Sequence, residues 1–427
     1  MTVVLGKSQM IEFCTNAPAS SQRLRILFLT PFAPNLQAGH GGSRVIAQLI
    51  THLAQRHVTI GLCYLRYEKE QTIDNLLREC CDVIEEVVIL ENGASGLKRG
   101  LQRLQVWKEM LAGKPLWAID RYSSDYEERL KGLLETWRPD VVQIEFHVMG
   151  QYLPALMNYP APRILIEHEP GTEAARESLK SPFAQGRMIP FLDLFAWQQF
   201  ERRITGQVDA VVVFTERDRK AIRELGQKTP IVEIPIGAEA SEQQLETPIK
   251  DPLSLLFVGN FKHPPNLDAA DRLINHIFPR VQAQLPEVRL FIVGDHLPAG
   301  IQHHENKNIV VTGYVPDVAP YLKQAALVVV PLRLGGGMRV KMLEALAAGK
   351  AVVASSRALE GIDVVDGKQV ILAEDDDEFV HAILGLLGDP EKRLALAKQA
   401  RAWASSNLSW DGLAAVYERL YRSLLRC

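Results

Sequence analysis

Leu327 to Ala354 is the stretch that most limits what this chain can fold into. Leu327 to Pro331 is a short apolar run, the signature of a strand buried on both faces. Arg333 and the glycines Gly335, Gly336 and Gly337 follow it. Met338 to Ala348 is made of helix formers, Gly349 closes it, and Ala351 to Ala354 is a second apolar run. Strand, glycine loop, helix, strand is the unit of a parallel sheet. The loop suits an anion, because glycines let backbone N–H groups approach closely and the helix start adds unpaired N–H groups. Arg333, Arg339 and Lys341 bring positive charge within about two turns. Glu344 accepts hydrogen bonds only, which suits vicinal ribose hydroxyls. The plainer alternative is a turn beside a solvated basic helix face.

Arg25 to Thr30 starts the same alternation near the beginning, and Gly41 and Gly42 precede a segment with helical apolar spacing at Val45, Leu49 and Leu53. These glycines would let backbone approach a ligand at the helix start. Further strands are expected at Thr59–Leu65, Val83–Leu90, Asp140–Glu145, Arg163–Glu167, Asp209–Phe214 and Ile231–Pro235, seven in this half. Phe191 to Thr205 is expected to be a helix, and Thr215 an N-cap with Asp218 in the first turn. His147 and His168 follow two of the strands, at the edge where doubly wound sheets place their sites. Glu145, Glu167 and Glu169 lie beside them as alternative bases, a reading that implies inversion. Residues 237–252 read as a linker, and residues 1–20 as a loose tail. Strands then recur at Leu253–Val258, Val288–Val293 and Ile309–Thr312, with a helix over Asp268–Leu285.

Glu344-Ala345-Leu346-Ala347-Ala348-Gly349-Lys350-Ala351-Val352-Val353, then Glu360-Gly361, resembles the donor segment of family 4 retaining glycosyltransferases, also called glycosyl transferases group 1. Arg333, Gly337, Lys341 and Glu344 are similar to the R-x-x-x-G-x-x-x-K-x-x-E pattern of one subgroup. The resemblance spans about Arg25 to Leu425. It implies an α/β GT-B fold: two Rossmann-like doubly wound domains facing across a cleft. The implied domains are an acceptor-binding one over 21–236 and a nucleotide-sugar-binding one over 253–408. A final helix over 409–427 would cross back to the first, with Trp410 a core anchor in either.

The implied reaction moves a sugar from a nucleotide diphosphate-sugar to a saccharide, lipid-linked or other acceptor, with retention, as a hexosyltransferase-like enzyme. No cofactor and no metal are implied. Arg333 and Lys341 would stabilise the leaving diphosphate, and His168 would hydrogen-bond a sugar hydroxyl or the acceptor. Gly41, Gly42, Gly335, Gly336, Gly337 and Met338 would line the donor, with Tyr314 or Val315 at the base. Departures from the pattern are Gly336 in place of a second glutamate, Asn260 in place of an arginine, and Pro265 near a lysine position. Asn260 is retained as a donor residue, and His147, Lys262 and Arg339 are further candidates. Two other readings are a GT-B nucleotide-sugar epimerase and a non-catalytic sugar-nucleotide-binding subunit.

Composition narrows the partners. A net charge of −3 over 427 residues gives no basis for nucleic-acid binding. Five cysteines without metal-ligand spacing fit buried thiols in a reducing compartment, so the cytoplasm is the expected location. Ala94 to Tyr122 reads as a basic amphipathic helix, in preference an ordinary surface helix packed on the core, with contact to the inner face of a membrane as the alternative.

Overall fold

The computed structural model describes residues 23–38, 41–90, 105–180, 188–238, 251, 253–315, 317–335 and 340–425. They form two compact units. The first holds the described residues from Arg23 to Pro235, Gly41 excepted, together with Asp411 to Leu425; the second holds Gly41 and the described residues from Ile236 to Trp410.

The first unit is a parallel sheet of seven strands in the order β3-β2-β1-β4-β5-β6-β7. These are β1 (Leu24–Thr30), β2 (Val58–Tyr67), β3 (Cys81–Ile89), β4 (Val141–Glu145), β5 (Arg163–Glu167), β6 (Ala210–Val213) and β7 (Ile231–Glu233). Parallel strands are covered on both faces, which is why they read as continuous apolar runs. In β1 every residue but Arg25 is buried, and Ile26, Leu27, Phe28 and Leu29 are wholly so. Leu27, Leu29, Val142, Ile144 and Leu165 join Tyr126, Tyr152 and Phe200 in one core cluster. Thr215 caps the Glu216–Glu224 helix by accepting from the Asp218 N–H at 3.1 Å.

The second unit is a parallel sheet of six strands in the order β10-β9-β8-β11-β12-β13. They are β8 (Ser254–Val258), β9 (Arg289–Val293), β10 (Ile309–Val311), β11 (Leu327–Val330), β12 (Ala351–Ala354) and β13 (Ile371–Leu372). Two Rossmann-like doubly wound sheets are therefore present. Each reverses direction once, between β1 and β4 in the first and between β8 and β11 in the second. Ligands of open α/β sheets bind beyond the strand C-termini at such reversals.

Two expectations need correction. The helix placed at Asp268–Leu285 begins earlier, at Pro264, because proline loses nothing at a helix start. It also contains a π-helical turn, Leu273–Ile277, just before Pro279, whose missing N–H and ring obstruct a regular ladder. The single helix over Ala94–Tyr122 is not what the described part shows. Residues 105–111 are helical and Leu116–Asp120 is a separate helix, parted by Gly113 at φ 79° and by Pro115. Two of its described cations are engaged locally: Lys114 pairs with Glu109 at 2.7 Å, and Arg121 is forked onto Glu70 at 2.8 and 3.1 Å. No helix of the described residues is long and apolar enough to cross a membrane. Among the described residues Cys63, Cys80 and Cys81 are free thiols.

The last helix, Trp410–Leu424, runs mostly in the first unit. There Glu418 accepts from Arg56 at 2.8 Å and Asp411 meets His52 at 2.8 Å. Trp410 is buried in the second unit, over Gly237, where a Cβ would lie 2.4 Å from the indole.

Candidate functional site

In the second unit the candidate donor residues gather at the β8/β11 reversal. Asn260, just past β8, accepts from the Lys262 N–H through its side chain at 3.0 Å and from Asn266 Nδ2 through its carbonyl at 2.8 Å. It therefore shapes the turn, and Lys262 is exposed on it. Past β11, Arg333 is half exposed and forks onto Asp268, with Nε at 3.0 Å and Nη2 at 2.7 Å from the carboxylate. That carboxylate pushes the guanidinium pKa further up. Gly335 is buried, with φ 99°.

The Val340–Ala347 helix carries Lys341 and Glu344 one turn apart, so both lie on one face. Lys341 Nζ donates to Asn266 Oδ1 and lies 5.1 Å from the Phe257 ring centre. Both are half-buried. Tyr314 is 45% exposed just past β10 and Val315 is half-buried beside it, so an aromatic face is open at this edge. Gly336, Gly337, Met338 and Arg339 lie outside the described residues.

In the first unit the candidates lie at the ends of β1, β4 and β5. Gly42 lies at the start of the Gly41–Ala54 helix, whose first residue, Gly41, belongs to the second unit. Gly42 has no room for a side chain: a Cβ would stand 2.6 Å from Phe146 Cζ. Phe146 itself has φ 66° and ψ 140°, an unusual backbone for a residue with a side chain. Its ring stacks flat on His168, with centres 3.8 Å apart and planes 4° apart. Phe214 meets the same imidazole edge-on at 5.0 Å. His168 Nε2 lies 2.7 Å from Glu145 Oε2, and Glu145 is 1% exposed.

His147 turns to a different group. Its Nδ1 is hydrogen-bonded to Glu167 Oε1 at 2.5 Å, and Trp197 and Trp117 pack against the ring at 4.4 and 5.4 Å. Burial lowers the His147 pKa and pushes that of Glu167 well up. Glu201 completes the cluster. It accepts the N–H groups of Gly171 and Thr172 at the start of the Gly171–Lys180 helix, the second at 3.0 Å. Burial and nearby Glu167 push it up to about 7. One ligand-type atom from each of His147, Glu167 and Glu201 lies within 4.8 Å of the others, a spacing that could hold a cation. His147 Nε2 and Glu167 Oε2 have no hydrogen-bond partner among the described residues. No spacing in the sequence marks this trio, because Glu201 comes from the middle of the Met188–Thr205 helix.

Sequence reasoning also missed Asp268, Asn266, Gln143 and Tyr421. Each acts through a partner distant in sequence. Only a polar residue inside an apolar strand, Gln143 in β4, carried a local signal.

Residues 252–389 match the family model described as glycosyl transferases group 1. Two curated relatives align in part. An uncharacterized 44.6 kDa protein in the cps region of Klebsiella pneumoniae is 25% identical over 140 residues, 31% of this chain and 36% of that protein. The uncharacterized glycosyltransferase MJ1069 of Methanocaldococcus jannaschii is 23% identical over 201 residues, 44% of this chain and 50% of that one. The chain thus spans about a third to a half of the length of these relatives.

Solved structures align over nearly the whole chain. Sucrose-phosphate synthase from Thermosynechococcus elongatus has a TM-score of 0.68 at 19% identity, covering 95% of this chain and 100% of that one. Anabaena HepE in complex with UDP-glucose has a TM-score of 0.60 at 15% identity, covering 94% and 100%. At these identities the likeness establishes the fold, which is GT-B.

Proposed function

We propose that the chain is a glycosyltransferase that uses a nucleotide diphosphate-sugar, bound at the β8/β11 reversal of the second unit. The observation that carries the reading is the placement of Lys341 and Glu344 on one face of the helix after the glycine loop, within the matched region 252–389. The fixed charges of Arg333 and Lys341 suit the negative charge that grows on a leaving diphosphate, the largest source of rate enhancement open to such a site. Glu344 is assigned to the ribose hydroxyls and exposed Tyr314 to the base. HepE, whose solved complex holds UDP-glucose, makes uridine the first base to try.

In this reading the sugar passes to an acceptor with retention, the leaving phosphate guiding attack on the same face. His168 is assigned to a hydroxyl of the sugar or the acceptor. Turnover persists in EDTA, because side chains supply the charge. A thermal-shift screen of nucleoside diphosphates and their sugars tests the donor assignment, since a ligand of the folded state raises the melting point by mass action. Proton NMR of the first-formed product then reads the anomeric configuration. A shift with UDP or another diphosphate and an α-linked product from an α-linked donor are expected. No response to any nucleotide overturns the proposal.

A further inference from the structure

Tyr421, in the last helix, sits at one end of a buried hydrogen-bond chain whose other end is His168. Tyr421 Oη donates to Gln143 Oε1 at 2.5 Å. Gln143 Nε2 donates to Glu145 Oε1 at 2.6 Å. Glu145 Oε2 lies 2.7 Å from His168 Nε2. Tyr421 and Gln143 are wholly buried and Glu145 nearly so. We propose that Tyr421, Gln143 and Glu145 are positioning residues that fix the tautomer and orientation of His168, so that the C-terminal helix completes the site of the first unit. This rests on the reading above in which His168 faces the sugar or acceptor.

The sense of each link follows from its neighbour. A carboxylate only accepts, so Glu145 requires a proton on His168 Nε2 and the NH2 group of Gln143 on its other side. Gln143 then presents its carbonyl oxygen to Tyr421, whose hydroxyl must donate. Burial pushes the Tyr421 pKa well up, with Tyr417 and Glu145 adding to it, so this donor keeps its proton. With Nε2 as the donor, Nδ1 of an uncharged imidazole is left as the acceptor for a hydroxyl. Among the described residues, no protein group takes that pole.

The surroundings hold the ring in the same pose. Phe146 covers one face and Phe214 meets an edge. Phe146 reaches the imidazole by way of a backbone conformation, φ 66°, that residues with a side chain rarely adopt. Gly42 gives its ring the space. Strained backbone, an absent side chain and a three-link hydrogen-bond chain converge on one imidazole. Nothing comparable holds the exposed His296.

Tyr421→Phe removes one hydroxyl and keeps the ring packed, and Glu145→Gln replaces one of two acceptor oxygens with an NH2 donor, so this side chain can no longer accept from both Gln143 and His168. Long-range proton–nitrogen NMR of the full chain, with His168 assigned by its loss in His168→Ala, reads the tautomer without substrate. UDP release from UDP-glucose, with kcat and KM separated, reads turnover. Wild type is expected to show His168 protonated on Nε2. In both variants the resonances should move toward a mixture of tautomers, and kcat should fall about fivefold or more, the size of one lost hydrogen bond, while KM holds within about twofold. Folded spectra for Tyr421→Phe guard against a trivial loss.

If His168 keeps its Nε2 proton unchanged in both variants, the positioning chain is overturned, whatever His168→Ala does to activity. If the tautomer moves as expected but His168→Ala turns over like wild type, the positioning chain stands. The substrate role given to His168 above then falls instead.

Discussion

Gly42 offers a sharp test of how the first unit holds its imidazole. A Cβ built there comes 2.6 Å from Phe146 Cζ and 3.2 Å from Cε2. Carbon atoms rest at about 3.5–4.0 Å, so Gly42→Ala must push the ring by about 1 Å. That ring lies flat on His168 at 3.8 Å, so it cannot retreat without dragging the imidazole or breaking the stack. Overpacking of this kind costs about 1–3 kcal/mol. Alanine in a helix recovers some of it, about 0.5–1 kcal/mol at an interior position and less at the second residue. The net loss is therefore about 1–2 kcal/mol, or roughly 2–8 °C in melting temperature.

Gly132 supplies the control. It lies in the Ser124–Thr136 helix with nothing within 4 Å of a built Cβ, so Gly132→Ala should raise the melting temperature by roughly 1–4 °C. Differential scanning fluorimetry of both variants, alongside kcat, reads the outcome. Gly42→Ala is expected to lose stability and kcat together. Equal stabilisation by the two substitutions would refute the argument that Phe146 is wedged against His168.

Glu201 makes stability depend on pH. Its folded pKa, about 7, is raised above the ordinary value of 4.5, so its contribution is full below pH 4.5 and is lost as pH rises through 7. Urea midpoints across that window should fall for wild type and fall less for Glu201→Gln; parallel slopes would remove the assignment. Asp268→Asn should leave stability within about 1 kcal/mol, because Arg333 is half exposed. It should also raise UDP affinity a few-fold by releasing the guanidinium, and a fall in affinity would instead make Asp268 part of the grip. Lys341→Ala should lower kcat more than donor affinity, whereas Glu344→Ala should weaken affinity; steady-state kinetics separates the two, and unchanged turnover in Lys341→Ala removes its role.

The strands were legible because each parallel strand buries both faces and so appears as an apolar run, as Leu327–Val330 and Ala351–Ala354 do. β13 has two residues and too little pattern to register. The helix over Ala94–Tyr122 was misjudged because apolar spacing outweighed Gly113 and Pro115, the residues that break it. At the site, glycine and charge could be read locally, but their partners could not. Arg333 meets Asp268 and Lys341 meets Asn266 across 65 and 75 residues, and Tyr421 meets Gln143 across 278. Such pairs exist only once the sheet brings strand ends and helices together.

The most direct measurement is a calorimetric titration of uridine, UMP, UDP and UDP-glucose into the wild-type chain and into Arg333→Ala/Lys341→Ala. If Arg333 and Lys341 grip a diphosphate, UDP binds wild type at least about tenfold tighter than uridine, and the double variant loses most of that difference. If uridine and UDP bind alike, or the double variant keeps the preference, the positive charge at the β11 loop does not serve a diphosphate and the donor site lies elsewhere.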